Sequence, residues 1–291
     1  MFPPDIFPEG FFFKQTRMNE FPLHVTRLGN GPKVLLAFHG IGQDGAGCFQ
    51  SWAELLGHQY TIYAFDLFFH GKSNVTHHEL NFETKLSPLT KERWQQLMQT
   101  FILAQKLTHF DLVGFSMGGR FALATAEGFP AQCRQLFLLA PDGVSEHPLY
   151  RLATRFSPVR AVFRYVMQHP AIMFSAMSLA QKMSLIPVST ARFVKNMLQT
   201  PTQRDVIYQS WVHFRRLRFS IPELYEHLQT NHVKLWLFVG TRDTILPARQ
   251  VKALARLLPK NQVVILECGH AQLVAKAARY LLQQNDFTGS Y

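Results

Sequence analysis

Short, nearly uninterrupted apolar runs recur along this chain, and helical patterns separate them. Many are apolar throughout, as in VLLAF and LFLLA, which is typical of strands buried on both faces. The alternation predicts an α/β fold with a mostly parallel central sheet flanked by helices on both faces. The predicted strands are Pro22 to Leu28, Val34 to Phe38, Thr61 to Phe65, Phe110 to Gly114, Gln135 to Leu139, Lys234 to Val239 and Gln262 to Leu266.

The alternation stops between about Ser145 and Asn231, where prolines punctuate helical segments and the strand pattern is missing. We therefore predict a helical cap over residues 145–231, inserted into a core domain formed by residues 1–144 and 232–291. The predicted cap carries 11 Lys and Arg against 4 Asp and Glu, and five of the nine methionines. Within the core, one covering helix is expected to be capped by Ser87 and to begin at Pro88.

Composition narrows the class of protein. A chain of 291 residues with 47% hydrophobic and 17% charged residues is ordinary for a globular protein. The net charge of +11 is scattered, without a basic run of five, so nucleic acid is not an expected partner. Apolar stretches are too short to span a bilayer, and the first residues lack the basic start of a signal peptide. We expect a cytoplasmic enzyme with no integral membrane segment, and the oligomeric state stays open.

Metal and disulfide chemistry is not indicated by the cysteine and histidine spacings. The three cysteines, Cys48, Cys133 and Cys268, are too few and too widely spaced for a disulfide framework or a zinc site, so reduced thiols are expected. None of the 13 histidines stands in a His-Glu-x-x-His pattern. We expect no metal and no cofactor.

The motif Gly114-Phe115-Ser116-Met117-Gly118-Gly119 is the sharpest chemical signal. It follows a predicted strand and opens a helical pattern, which is the context of a nucleophile elbow, where a serine oxygen is exposed at the top of the sheet. The alternative is a tight strand-to-helix connection that needs glycines for steric reasons alone. The context favours Ser116 as a nucleophile.

A serine nucleophile needs a base and a group that orients the base, in the chain order Ser, Asp or Glu, His for this type of sheet. Asp243 follows the strand KLWLFVG, and His270 follows VVILE, so both lie at carboxyl ends of predicted strands. Asp243 could instead serve as a turn or N-cap residue, and His270 could cap the last helix. Asp142, after another strand, is an alternative source of the carboxylate.

Stabilising an oxyanion requires N–H donors near the nucleophile. The loop His39-Gly40-Ile41-Gly42 follows the strand VLLAF, so the Ile41 and Met117 N–H groups are the predicted donors. A plain glycine turn is the alternative for this loop. His39, Gly40 and Phe115 are predicted to line the substrate pocket.

These motifs together resemble the α/β-hydrolase superfamily of enzymes with a helical cap after the sixth strand. The resemblance extends from about Pro22 to Leu282 and is carried by HGIG, DLFFHGKS, GFSMGG, GTRD and CGH. Relatives usually have glycine where this chain has Phe69, a departure that bears on the geometry of that loop. Serine at position 116 argues against the haloalkane dehalogenases and epoxide hydrolases of the superfamily, which use aspartate there.

The resemblance implies an esterase, lipase-like enzyme, thioesterase, amidase or carbon–carbon bond hydrolase. The expected reaction is cleavage of an ester-type bond of a small, partly hydrophobic molecule through an acyl-enzyme. Three alternatives remain open: a carbon–carbon bond hydrolase, a cofactor-free lyase or haloperoxidase-like enzyme, and a non-catalytic ligand-binding member of the fold.

Overall fold

A seven-stranded sheet forms the centre of the protein in a computed structural model that describes residues 22–73, 88–146, 148–186 and 188–284. The strands are β1 (Val25–Leu28), β2 (Lys33–Phe38), β3 (Tyr60–Phe65), β4 (Phe110–Phe115), β5 (Cys133–Leu139), β6 (Lys234–Gly240) and β7 (Val263–Leu266). Their order across the sheet is β1-β3-β2-β4-β5-β6-β7. β1 pairs antiparallel with β3, and the other neighbours are parallel, which confirms the predicted mostly parallel sheet.

Helices bury apolar faces against both sides of this sheet. One side is covered by α1 (Gly45–Leu56) and α11 (Leu273–Gln283), and Trp52 ties them together by donating to the Val274 carbonyl at 3.0 Å. The other side is covered by α2 (Lys91–Ala104), α3 (Gly118–Gly128), α9 (Ile221–Thr230) and α10 (Lys252–Ala255). The predicted layers, with helices on both faces of the sheet, are therefore present. No helix among the described residues is both long and apolar enough to cross a bilayer.

The predicted start of α2 was wrong. The helix begins at Lys91, three residues after Pro88, and Ser87 lies outside the described residues. Thr90 is the N-cap, and its hydroxyl accepts the Arg93 N–H at 3.3 Å. A threonine that satisfies a first-turn N–H is a sufficient helix start, and the proline simply precedes it.

Helices run between β5 and β6: α4 (Pro148–Arg155), α5 (Ser157–Gln168), α6 (Pro170–Lys182), α7 (Val188–Met197) and α8 (Pro201–His213). Helices α5 to α8 share an apolar cluster centred on Met167, Leu198 and Ile207, which differs from the two clusters of the sheet. α9 lies inside the predicted range 145–231, yet its Leu224 and Leu228 belong to a sheet cluster. The cap bounds stay a prediction, and we propose that the cap ends before α9.

Phe69 occupies the position where the family resemblance leads us to expect glycine, and it adopts the backbone conformation that glycine favours. Its φ is +71°, in the left-handed region. The ring is buried and lies 5.2 Å from the His213 ring and 5.8 Å from that of Phe214, measured between centroids. The loop therefore keeps its turn, and the aromatic ring connects it to the segment after α8.

We expect Phe69→Ala to lower the free energy of unfolding by about 3 kcal/mol, because a buried ring is lost. Phe69→Gly should be less destabilising than Phe69→Ala by about 1 kcal/mol, because glycine adopts positive φ without strain. Urea unfolding of both variants measures the difference. If Phe69→Gly is the less stable of the two, the left-handed backbone at this position is contradicted.

Candidate active site

Ser116 lies in a sharp turn between β4 and α3, with φ at +52°. Gly118 permits this turn, because a Cβ there would overlap the carbonyl oxygen of Phe38 on the neighbouring strand β2. Gly114 is similarly constrained, since a Cβ would lie 2.8 Å from that of Ala122 on α3. The two glycines of the motif thus let helix and sheet approach closely around Ser116.

Backbone hydrogen bonds hold the turn from several directions. The Ser116 N–H donates to the Leu139 carbonyl of β5 at 2.9 Å. The Ser116 carbonyl accepts the N–H of Gly119 at 2.9 Å and that of Asp142 at 2.8 Å. A non-glycine residue at positive φ persists where its surroundings fix it in this way, and such residues cluster at functional sites.

His270 and Asp243 lie in direct contact across the turns that follow β7 and β6. The His270 Nδ1 is 2.6 Å from Asp243 Oδ2, and the carboxylate is completely buried. Because Asp243 Oδ2 is an acceptor, Nδ1 is the protonated nitrogen and Nε2 carries the lone pair. The pair has the tautomer that a general base needs.

Asp243 also stabilises a turn, which is the alternative role that its sequence context suggested. Its second oxygen, Oδ1, accepts the N–H groups of Ile245 and Leu246, each at 2.9 Å. One carboxylate therefore fixes its own turn with one oxygen and the imidazole with the other. The turn bonds orient the group that in turn orients His270.

Phe115 links the Asp243–His270 pair to the segment that carries Ser116. Its ring centroid is 4.8 Å from that of His270, and it directly precedes the serine in the chain. A Cβ on Gly40 would approach the Phe115 ring to 3.1 Å, so the loop after β2 packs against the same ring. Phe115, Gly40 and His270 therefore meet beside the turn, and Phe115 is largely buried as their common neighbour.

Asp142 has a different partner. Arg120 on α3 binds it with two hydrogen bonds, from Nε to Oδ2 at 2.7 Å and from Nη2 to Oδ1 at 3.0 Å. Arg120 is buried and also donates to the Leu217 carbonyl at 2.9 Å. The sequence did not predict this contact of Arg120. Its signal there was a lone cation in the apolar helical pattern GRFALATA.

The two predicted oxyanion donors belong to different segments of the chain. Met117 is the N-cap of α3, and Ile41 is in the turn after β2. In the part of the chain that the structure describes, neither N–H donates to another protein group. Ile41 packs against both a sheet cluster and the apolar cluster of α5 to α8.

His39 joins two loops through its buried ring, and its contact with a substrate stays a prediction. Its Nε2 accepts the Leu67 N–H at 3.0 Å, and its Nδ1 donates to the Gly40 carbonyl at 2.6 Å. The ring is fully buried. Both nitrogens are used, so His39 fixes Gly40 relative to the loop after β3.

Two further features of these loops were outside the sequence prediction. Asp66 accepts the N–H groups of Gly45 and Lys72, each at 2.8 Å, so it joins α1 to the loop after β3. The His70 ring lies 5.1 Å from that of His39 between centroids. His70 Nδ1 donates to the Phe68 carbonyl at 2.8 Å.

Among the described residues, no group of three or more His, Cys, Asp or Glu is arranged to hold a metal ion.

Comparison with known proteins identifies the family. The model of the alpha/beta hydrolase fold family matches residues 33–277. The chain belongs to the α/β-hydrolase fold family. An uncharacterized protein of Mycobacterium tuberculosis strain H37Rv is 24% identical over 265 residues, which cover 87% of this chain and 74% of that protein.

Solved hydrolases share this fold at low identity. A thermophilic esterase from Thermogutta terrifontis, with malate bound, superposes with a TM-score of 0.60 and 21% identity, covering 90% of each chain. A meta-cleavage product hydrolase from Pseudomonas fluorescens IP01 gives a TM-score of 0.58 and 18% identity, covering 92% of this chain and 95% of that one. The α/β-hydrolase resemblance and the fold predicted from the sequence are both confirmed.

The two loop histidines make stability depend on pH. Burial lowers the pKa of His39 to about 4, and burial together with nearby His39 lowers the pKa of His70 to about 3. Both values lie below the ordinary value of 6.5. Between pH 6.5 and 4 the unfolded chain therefore binds protons that the folded protein does not, and stability falls as the pH falls.

We expect His70→Asn to lose less stability on acidification than the wild type, since asparagine can donate to the Phe68 carbonyl but does not titrate. Between pH 7 and pH 5, the wild type should lose about 2 kcal/mol more than the variant. Urea unfolding of both proteins at the two pH values measures this. Equal losses would contradict a depressed pKa for His70.

Proposed function

We propose that this protein is a serine hydrolase that cleaves a carboxylic ester or thioester of a small, partly hydrophobic substrate through an acyl-enzyme. Ser116 is the nucleophile, His270 the general base and Asp243 the residue that orients it. The observation that carries the proposal is the 2.6 Å contact between His270 Nδ1 and Asp243 Oδ2, and a turn that holds Ser116 at positive φ supports it.

The first half of the reaction forms an ester with the enzyme. Ser116 Oγ attacks the carbonyl carbon of the substrate while His270 Nε2 accepts the hydroxyl proton. The Asp243 carboxylate stabilises the resulting imidazolium through Nδ1–H. The negative charge that develops on the carbonyl oxygen is met by the N–H groups of Ile41 and Met117, and Met117 also lies at the positive end of α3.

Collapse of this intermediate expels the alcohol or thiol, which takes the proton from His270. In the second half, His270 removes a proton from water, and the hydroxide attacks the acyl carbon. The same two N–H groups stabilise the second oxyanion, and Ser116 leaves with the proton from His270. The cycle needs no cofactor.

The apolar cluster of α5 to α8 supports a partly hydrophobic substrate. It contains partly buried Met173, Met197, Phe163 and Trp211, and it reaches Ile41 beside the proposed oxyanion site. Thioether and aromatic side chains adapt to apolar groups of varied shape. We propose that these helices act as a cap that holds an apolar acyl or alcohol group.

Hydrolysis rates across p-nitrophenyl esters of increasing chain length should pass through a maximum, and a flat profile would contradict an apolar pocket under the cap.

A carbon–carbon bond hydrolase is the second candidate, because one of the structurally similar proteins is a meta-cleavage product hydrolase. In this chain, such a reaction would use Ser116, Asp243 and His270. A cofactor-free lyase or haloperoxidase-like reaction is chemically compatible with the same triad. A non-catalytic binding protein differs from all of these in one property. Only an activated serine reacts with a fluorophosphonate probe, so labelling separates an enzyme of this type from a binder.

We expect the fluorophosphonate to label the wild type at Ser116, and Ser116→Ala to abolish labelling. Hydrolysis of p-nitrophenyl butyrate should fall by at least about 10³-fold in the variant, because no other group can form the acyl-enzyme. Ser178→Ala, a change at an exposed serine of α6, is the matched control and should retain full labelling and rate. Unchanged hydrolysis by Ser116→Ala would disprove the assignment of the nucleophile.

Two aspartate variants should fail in different ways. Asp243→Asn should lower kcat by about 10³- to 10⁴-fold, because it no longer stabilises the imidazolium. Asp142→Asn should lower the free energy of unfolding by about 2 kcal/mol, because the buried Arg120 loses its counter-charge. Its kcat should stay within about tenfold of the wild type, since this carboxylate is bound to Arg120. The reverse pattern would make Asp142 the acid of the triad.

A further inference from the structure

A cavity of about 360 Å³ lies where α2 begins, apart from the three proposed catalytic residues, none of which lines it. Its walls combine the start of α2 with the end of α4 and the segment after α8. A cavity of this size is in the range of small-molecule sites. The lining residues are Thr90, Lys91, Glu92, Arg155, Arg215, Arg216 and Arg218.

Five cations and one carboxylate line this cavity, which we call the arginine cavity. Only part of its positive charge is compensated. Lys91 is paired with Glu127 at 2.8 Å, and Arg218 with Glu146 at 2.8 Å. Across the described residues, the other three arginines form no salt bridge with a carboxylate. These three are Arg155, Arg215 and Arg216.

The surroundings of Arg215 confirm that positive charge accumulates there. Burial lowers its pKa, and the positive charges of Arg160 and Arg216 lower it further. Helices α4 to α7 supply no compensating carboxylate, since residues 147–204 contain no Asp or Glu. A cluster of cations that repel one another gains free energy when a multiply charged anion binds.

The start of α2 adds positive potential, but its first-turn donors are partly used. Thr90 accepts the Arg93 N–H, and the Glu92 carboxylate bonds its own N–H, which with Thr90 lowers the Glu92 pKa. An anion in the cavity would therefore be held mainly by guanidinium groups. The positive end of the α2 dipole would also favour the anion.

We propose that the arginine cavity binds the phosphoryl group of an anionic ligand. Guanidinium groups match phosphate oxygens with paired N–H donors, and several of them can share the oxygens of one group. A monocarboxylate carries one charge and two oxygens, which cannot compensate three arginines that lack a carboxylate partner. A phosphate monoester or a diphosphate supplies the charge and the acceptors that the cavity lacks. This binding site is independent of the proposed hydrolase chemistry.

Inorganic phosphate and pyrophosphate are the probes of this site, with sodium chloride at matched ionic strength as the reference. We expect both anions to raise the Tm of the wild type above the chloride value, because a ligand that binds the folded state stabilises it. Isothermal titration with pyrophosphate gives the affinity. Ser116→Ala should bind pyrophosphate as the wild type does, which separates this proposal from the proposed function.

The variant Arg155→Ala/Arg216→Ala tests the residues without disturbing the fold. Among the described residues, neither side chain forms a hydrogen bond or ion pair, so their removal leaves no partner unsatisfied. We expect at least tenfold weaker pyrophosphate binding, equivalent to about 1.4 kcal/mol. Arg256→Ala, a change at an exposed arginine outside the cavity, is the control and should bind as the wild type does.

Vesicles of phosphatidylcholine with and without phosphatidic acid separate a lipid headgroup from a free phosphorylated compound. If the wild type sediments only with vesicles that contain phosphatidic acid, and the double variant does not sediment with them, the phosphoryl group is that of a lipid. Binding of pyrophosphate without sedimentation would assign it to a soluble ligand. The proposal is overturned if neither probe binds beyond the chloride reference, or if the double variant and the Arg256→Ala control bind alike.

Discussion

The close approach of α3 to strand β2 is the constraint on which the candidate site depends. The Cα of Gly118 faces the Phe38 carbonyl, with no space for a side chain between them. This contact fixes where α3 starts, and so forces the chain to turn sharply at Ser116 with φ at +52°. A left-handed residue of this kind costs roughly 1–2 kcal/mol, which the bonds to β5 and to Asp142 offset. The buried sheet therefore determines the position of Ser116.

Arg120 extends this constraint beyond the sheet. It lies one helical turn after Ser116 and binds Asp142, whose N–H donates to the Ser116 carbonyl. Its Nη1 is 3.9 Å from Glu146, which also pairs with Arg218 of the arginine cavity. A buried ion pair is a weak source of stability, because desolvation offsets most of the attraction. Its value here is geometric, since it fixes the segment after β5 and the start of the cap helices relative to the turn.

The sequence predicted those features that depend on local pattern. All seven strands are found, because the central strands are buried on both faces and require runs of apolar residues. The strand–turn–helix context of Ser116 follows from the glycines on either side. Features that depend on long-range contacts were not predictable. The role of His39 is set by Leu67 from another loop, and that of Arg120 by a carboxylate 22 residues away. Phe69 was recognised as a departure, but its left-handed backbone and its contact with Phe214 arise from tertiary packing.

Ile41 links the helices α5 to α8 to the proposed oxyanion site. Its side chain packs against a sheet cluster on one side and against the cluster of α5 to α8 on the other, and a Cβ on neighbouring Gly42 would lie 3.4 Å from Met197 Cε. The N–H proposed to bind the oxyanion therefore belongs to a loop held between core and cap. Hydrogen-bond strength depends steeply on distance and angle. Repacking of the proposed cap around Met197 would thus shift this donor and alter the proposed chemical step, even where Ser116, Asp243 and His270 do not move.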